Sequence, residues 1–354
     1  MKQYKQWSSS VKKKLIVPLL LSTMSFNMAV NAQSMDPIFL GDDFTIEYDS
    51  EINTNLVDSD VDSSGINLEG SFVSMSVEWR EKIRVVLTGK LEEIFQDNRV
   101  QFNEDFDVSS FISEAYIEIR EVAGTPIAIV VGKQPIPFGQ NVQAMPMFRN
   151  NPLVNLQEIN EVYGLTVDLT EGLLGIFDQV EISAFETEAG DLSIGNIDGM
   201  SVRMSKMLTD QWLLTASHAN LGNDHLGNGS ERRTSIGLIG ESEDGSLVGW
   251  VEGVLFSNNP EYPNSKFAIT VGGQYQIAES TAVVVEYSYV KDELNEIGAG
   301  VKTELTRNLS VGAEVRYRNY VDQREDDLSF GITFTYRFGN TGYSENENYL
   351  FGAE

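Results

Sequence analysis

In the stretch Leu328-Ser-Phe-Gly-Ile-Thr-Phe-Thr-Tyr-Arg-Phe338, the side chains of Phe330, Ile332, Phe334, Tyr336 and Phe338 fall on one face and those of Ser329, Gly331, Thr333, Thr335 and Arg337 on the other. A period of two belongs to an extended strand, whose successive side chains point to opposite faces. One face is aromatic and apolar; the other is small or polar. Leu309 to Tyr320 repeats the pattern, with Val311, Ala313, Val315 and Tyr317 against Gly312, Glu314, Arg316 and Arg318. So do 266–277, where Phe267, Ile269, Val271 and Tyr275 oppose Ala268, Thr270, Gly272 and Gln274, and 83–94, where Ile83, Val85, Leu87 and Leu91 oppose Arg84, Thr88, Lys90 and Glu92.

A soluble sandwich also alternates, but its strands run to about 5–6 residues. Strands that cross a bilayer in a barrel run to about 9–11, apolar outward and polar inward, and that is the length seen here. Segments of this kind lie at 44–54, 70–80, 83–94, 111–121, 125–135, 160–170, 177–187, 196–207, 211–221, 231–241, 246–256, 266–277, 281–291, 296–305, 309–320 and 328–338. They number about sixteen, even as bacterial barrels require. Tight turns at 80–82, 121–126, 208–210, 243–245, 278–280 and 305–308 alternate with long connections at 55–69, 95–110, 136–159 and 221–230. Short turns belong on the periplasmic side and long loops outside. The expected fold is all-β, a transmembrane antiparallel up-and-down barrel over 44–338. The faces of 196–221 and 245–256 are ambiguous, and Trp79, Trp212, Tyr336 and Phe338 near strand ends are expected in the interfacial girdles.

Composition narrows the class. The 354 residues are 41% hydrophobic and 10% aromatic, too rich for a disordered chain despite a formal charge of -28. With no Cys there are no disulfides, thiolate metal sites or thiol catalysis. So acidic a chain lacks the clustered Lys and Arg that a nucleic-acid partner demands. Lys2, Lys5 and Lys12 to Lys14, then the apolar run Leu15 to Leu21 and the small-residue site Val30-Asn31-Ala32, read as a signal peptide over 1–32. Cleavage there removes five Lys and no acid, taking the charge from -28 to -33. A periplasmic segment is then expected at 33–43 and a periplasmic tail at 339–354. No other apolar run approaches the roughly 20 residues of a membrane helix.

Tyr336-Arg337-Phe338 at the end of its strand is similar to the terminal-strand signal that outer-membrane assembly machinery reads in bacterial porins. Val131-Gly132-Lys133-Gln134-Pro135-Ile136-Pro137-Phe138-Gly139, followed by Asn151-Pro152-Leu153 and Glu158 to Gly164, resembles the phosphate-selective porin O and P superfamily and, more closely, the LbtU-type siderophore porins. The resemblance implies a sixteen-stranded outer-membrane barrel among lipid and lipopolysaccharide, often a homotrimer in porins of this size. It also brings a ferric siderophore into view as a ligand.

The connection from Pro135 to Asn160 is the longest, and Pro135, Pro137 and Gly139 end its strand. Folded into the barrel, it places Phe148 and Arg149 at the constriction; otherwise it is an ordinary external loop. Alternation turns Glu47, Glu78, Arg84, Lys90, Glu114, Glu118, Arg120, Asp168, Glu286, Lys302, Glu304, Glu314, Arg316, Arg318 and Arg337 inward. Mixed charges across a wet lumen create a transverse field, and the excess of acid favours cations. Arg316, Arg318 and Arg337 on neighbouring strands either hold an anionic solute or form salt bridges with Glu304 and Glu314. Asp58, Asp60, Asp62 and Glu69 fall at positions 1, 3, 5 and 12 of a calcium-loop spacing, but Ser63 stands where that loop needs Gly and the flanks are strands, so a solvated acidic loop competes with calcium.

Barrel enzymes need a His paired with Ser or Asp. Only His218 and His225 are available. Ser217 and His218, adjacent on a strand, point to opposite faces, and His225 lies in a Gly/Asn-rich loop. The expectation is no enzyme and no cofactor, but a cation-preferring porin for small hydrophilic solutes; the competing class is a specific receptor or channel for a ferric siderophore or another ligand. Mass spectrometry of the protein taken from the cell envelope should find an N-terminus near Gln33, and circular dichroism should show mainly sheet. Retained Met1 or a helical spectrum overturns this reading.

Overall fold

The alternating segments assemble into one antiparallel sheet in the computed structural model, which describes residues 38–40, 43–59, 65–92, 95–96, 99–100, 108–140, 156, 159–170, 176–187, 197–222, 230–321 and 326–339. Sixteen long strands form the wall. These are β1 (Phe44–Ser59), β2 (Phe72–Trp79), β3 (Ile83–Lys90), β4 (Ile112–Ile119), β5 (Ile127–Gln134), β6 (Val162–Thr170), β7 (Gln179–Glu186) and β8 (Gly199–Thr209), then β9 (Trp212–Leu221), β10 (Glu231–Glu241), β11 (Leu247–Ser257), β12 (Phe267–Ala278), β13 (Thr281–Val290), β14 (Leu294–Thr306), β15 (Leu309–Tyr320) and β16 (Asp327–Gly339). Each pairs with its sequence neighbours, and β1 pairs with β16 over Asp49↔Gly339 to Ser59↔Ser329, so the sheet closes. Two short strands, Ile38–Leu40 and Gly65–Asn67, add to β1.

Closure leaves no backbone edge along the wall, the condition for a sheet surrounded by hydrocarbon. The outward face carries what that solvent requires: Val285, Tyr287, Ile297, Val315, Phe330 and Ile332 are all exposed. Among the described residues no helix is long and apolar enough to cross a membrane. Trp79 and Trp212 stand exposed at the ends of β2 and β9 beside tight turns, as girdle residues should. Tyr336 differs, being only 3% exposed. Paired with Ile52 on one side and Leu309 on the other, it stacks on Phe338 at 5.9 Å instead of standing free in the interface.

The turn joining β2 to β3 has Arg80 and Glu81 both at positive φ (52 and 58), the backbone of a hairpin turn whose twist matches its strands. Without glycine that shape is strained, and two contacts hold it. Arg80 Nε donates to Asp43 at 2.8 Å and its guanidinium lies 5.1 Å from the Trp79 ring. The same hydrogen bond keeps the Asp43 carboxyl below the usual carboxylate range.

One further expectation changes and one ambiguity resolves. The first connection does not begin at residue 55, because β1 continues to Ser59 against β16. In β11 the row Val248, Trp250, Val254 and Phe256 is buried whereas Leu247 and Leu255 are exposed, so its bulkier apolar row faces inward. A lipid-facing charge gives a direct check. Replacing Val285, mid-strand and outward on β13, by Arg should cost about 2–4 kcal/mol of folding free energy in bilayers, read from reversible urea refolding into vesicles.

Candidate functional site

The interior is built from the inward residues of every strand together with the chain that follows β5. Gly132, near the end of that strand, has φ +136, and a Cβ there would lie 2.3 Å from the Ala115 carbonyl oxygen. Only glycine fits so close to β4. Past Gln134 the prolines remove backbone donors that a ladder would use, and the chain enters the lumen instead of leaving the barrel.

The far wall supplies its hydrogen bonds. Ser201 Oγ donates to the Pro137 carbonyl at 3.0 Å and Arg203 Nε to the Gly139 carbonyl at 2.9 Å. The Gly139 amide donates to Ser217 Oγ at 2.9 Å, and the Gln140 amide to both carboxylate oxygens of Glu252 at 3.2 Å. Glu252 is fully buried and also accepts from Ser235 Oγ. Where the chain returns, Arg233 Nη1 donates to the Leu156 carbonyl at 2.8 Å, and the Ile136 amide to the Ile159 carbonyl at 2.8 Å. Irregular backbone is tolerated at this depth because protein groups satisfy it.

Apolar contacts complete the anchor. Ile136, Phe138, Leu156 and Ile159 pack with Phe185, Val254, Phe256 and Tyr262 in one buried cluster. This accounts for Val254 and Phe256 on the inward row of β11; Val248 and Trp250 on the same row pack with Ile239 and Val284 of the wall. The interior is thereby divided, with a packed region against β7 to β14 and an open cavity of about 750 Å³ between the inward chain and β1 to β4.

Arg84, Lys90, Glu114, Glu118 and Arg120 come together on the wall of β3 and β4. Arg84 lies 3.7 Å from Glu47; Arg120 reaches Glu78 at 3.0 Å and Glu118 at 2.9 Å. Lys90 pairs with Glu161, which Lys133 also approaches at 3.4 Å. Thr88 Oγ1 donates to Glu114 at 3.1 Å. On β14 to β16 the basic cluster resolves into ion pairs, with one change of partner. Arg316 meets Glu296 and, at 3.5 Å, Glu314; Arg318 meets Glu296 at 2.6 Å; Arg337 meets Glu51 at 2.6 Å. Glu304, the expected partner, is exposed near the end of β14, out of this network among the described ion pairs, because Glu296 sits across from Arg318 in the register.

Several anchoring residues escape alternation alone: Arg203, Glu181, Ser217, Glu252 and Arg233. They lie mainly where apolar residues occupy both faces of the strand, yet Arg203 and Glu252 were legible by another signal, since a charge in mid-strand cannot face lipid. Ser217 points inward to Gly139, whereas exposed His218 Nδ1 lies 2.8 Å from Thr234 Oγ1, so the two make no dyad. Phe148, Arg149, Asp60, Asp62 and His225 lie outside the described residues. Of the calcium spacing, Asp58 is on β1 and Glu69 approaches Asn67 Nδ2 at 3.5 Å.

No protein-family profile matches the chain, and none of the curated proteins does. Solved structures do. The chain is similar to the outer membrane channel DcaP of Acinetobacter baumannii, at 11% identity over 86% of this chain and 100% of that one, TM-score 0.61. It is similar to OmpF of Salmonella typhi, solved with daunomycin, at 13% identity over 85% and 100%, TM-score 0.61. An anion-selective porin of Comamonas acidovorans matches at 12% identity over 83% and 100%, TM-score 0.58. The shared feature is the sixteen-stranded barrel of outer-membrane porins.

The tethers predict a local effect. Glu252→Ala should speed hydrogen exchange at the Gln140 amide, and Ser217→Ala at the Gly139 amide, each by about tenfold, the equivalent of one lost hydrogen bond. Unchanged protection in both variants would mean that the wall does not hold the inward chain.

Proposed function

We propose that the chain is an outer-membrane porin, a passive and cation-preferring channel for small hydrophilic solutes. The observation that carries this reading is the cavity of about 750 Å³ left between the inward chain and β1 to β4. A barrel packed throughout would conduct nothing, whereas here an inward chain narrows the lumen and charged side chains line what remains. Six acids and three bases face that cavity. Such an excess raises the local concentration of cations and lowers that of anions. Arg84, Lys90, Glu114, Glu118 and Arg120 line or flank the passage in this reading; Glu304, Glu314, Arg316, Arg318 and Arg337 belong to the opposite arc of the wall, and Phe148 and Arg149 to the constriction. A signal peptide over 1–32, assembly through the terminal strand and a homotrimeric state complete the proposal.

A second reading, a receptor or channel for a ferric siderophore, draws on the motif from Gly132 to Gly139, because those residues make the inward bend. One experiment separates the two. Refolded protein in a planar bilayer under a salt gradient should give stable openings whose zero-current potential has the sign of cation preference, with no block by a ferric siderophore at micromolar concentration. A silent barrel overturns the channel; an anion-signed potential overturns its selectivity; micromolar block moves the function to the siderophore.

A further inference from the structure

In a chain with 53 acids against 25 bases, the outward rows of β8 to β11 carry no acid and two bases, Lys206 and Arg232. Lys206 lies near a tight turn and is paired with Asp178 at 2.7 Å. Arg232 lies at the other end of the wall, as the second residue of β10, remote from the turn that joins β10 to β11. It is exposed on the same face as Ile236 and has no ion pair among the described residues. An arginine on the lipid face is costly at the bilayer midplane and nearly free at the interface.

The strands across the barrel mark where that interface falls. Exposed Tyr287 on β13 and Tyr317 on β15 donate their hydroxyls to Asn295 and Asp326, as amphipathic rings do at headgroup level. Counted from the tight turns, His218 stands as far along β9 as Tyr287 along β13, and Asn220 as far as Tyr317 along β15. Here, however, the level is held by polar side chains and not by aromatic ones. Arg232 is directly opposite Asn220 on β9 and Ser257 on β11; one step lower, His218 is opposite Thr234, with Nδ1 2.8 Å from Oγ1. Opposed side chains on neighbouring strands stand about 5 Å apart and diagonal ones about 7–8 Å, so Arg232, Asn220 and His218 all reach one group the size of a phosphate. Met200, Ile236 and Leu255, around and below them, are exposed and apolar.

We infer that the outward ends of β9 and β10 form a binding site for a phosphorylated lipid of the outer leaflet. The Arg232 fork takes two phosphate oxygens, a geometry that guanidinium matches and ammonium does not. Asn220 and His218 donate to the same group; with Nδ1 accepting from Thr234, the His218 Nε2–H is a donor. The acyl chains lie on Ile236 and Leu255. The absence of acid from these four outward rows removes the repulsion that the rest of so acidic a chain presents to an anion. The site is on the outside of the wall and does not depend on what the lumen conducts.

Native mass spectrometry of the refolded full-length barrel in non-ionic detergent, titrated with bisphosphorylated lipid A, tests this. Wild-type protein should hold that lipid about tenfold more tightly than its dephosphorylated form with the same acyl chains, the scale of one charge-assisted hydrogen bond. Inorganic phosphate should not compete, since it leaves the apolar half of the site empty. Arg232→Gln should remove most of the preference, Arg232→Lys should keep part of it, and Lys206→Gln, the loss of the other outward base, should leave it unchanged. The inference falls if wild type binds both lipids alike, if inorganic phosphate displaces the lipid, or if Lys206→Gln loses as much as Arg232→Gln. It falls equally if Arg232→Gln and Arg232→Lys keep the full preference while circular dichroism shows them folded. If Arg232→Gln instead lowers the oligomeric state in lipid-free detergent and leaves lipid binding unchanged, the face belongs to a second copy of the chain and the lipid site is overturned.

Discussion

Hydrocarbon has no hydrogen bonds to offer, so a backbone N–H or C=O left open at membrane depth costs several kcal/mol, and a sheet placed there must have no free edge. In this chain the requirement falls on the seam between the first and last strands, separated by almost the whole sequence. The backbone ladder runs from Asp49↔Gly339 to Ser59↔Ser329. Inward side chains reinforce it: Thr335 Oγ1 donates to Asn53 and Thr333 Oγ1 to Asn55, each at 2.7 Å, and Arg337 to Glu51 at 2.6 Å. Once that seam closes, every strand has an inside and an outside, and the alternation of each acquires a direction.

Inside and outside then obey different rules. The outer face is mainly apolar, because a charge at membrane depth is expensive. The inner face tolerates both kinds of residue, provided that each finds a partner. Arg316 and Glu296 are almost fully buried together, where an unpaired charge would not persist. Trp250, Val254 and Phe256 are equally buried, beside the inward chain or neighbouring wall residues. A barrel of this width is therefore neither an empty tube nor a filled core. One arc is packed like a soluble interior, the other holds the cavity, and the chain Pro135 to Gln140, with Leu156 and Ile159, lies between them.

Much of this was legible in advance. All sixteen wall strands lie within the alternating segments or extend them by a few residues, and the inward placement of Arg84, Glu114, Arg316 and Arg337 follows from period two alone. Less was legible where both faces are apolar. In β11 the alternation left either row able to face lipid, and only the tertiary contacts decide: Val254 and Phe256 pack with the inward chain, Val248 and Trp250 with Ile239 and Val284. Ion-pair identity was hidden for a related reason. Glu304 and Glu296 share a face of β14, and only the register against β15 places Glu296 opposite Arg318.

Sequence by itself determined the barrel class, a count of about sixteen strands and the alternation of faces, because these depend on local periodicity and composition. The tertiary structure decided which residues the inward chain meets and which arc of the lumen stays open. Both depend on contacts such as Gln140 with Glu252 and Gly139 with Ser217, between segments far apart along the chain. No local pattern encodes such a pairing; it exists only once the barrel has closed and brought β9 and β11 within reach of the chain that leaves β5.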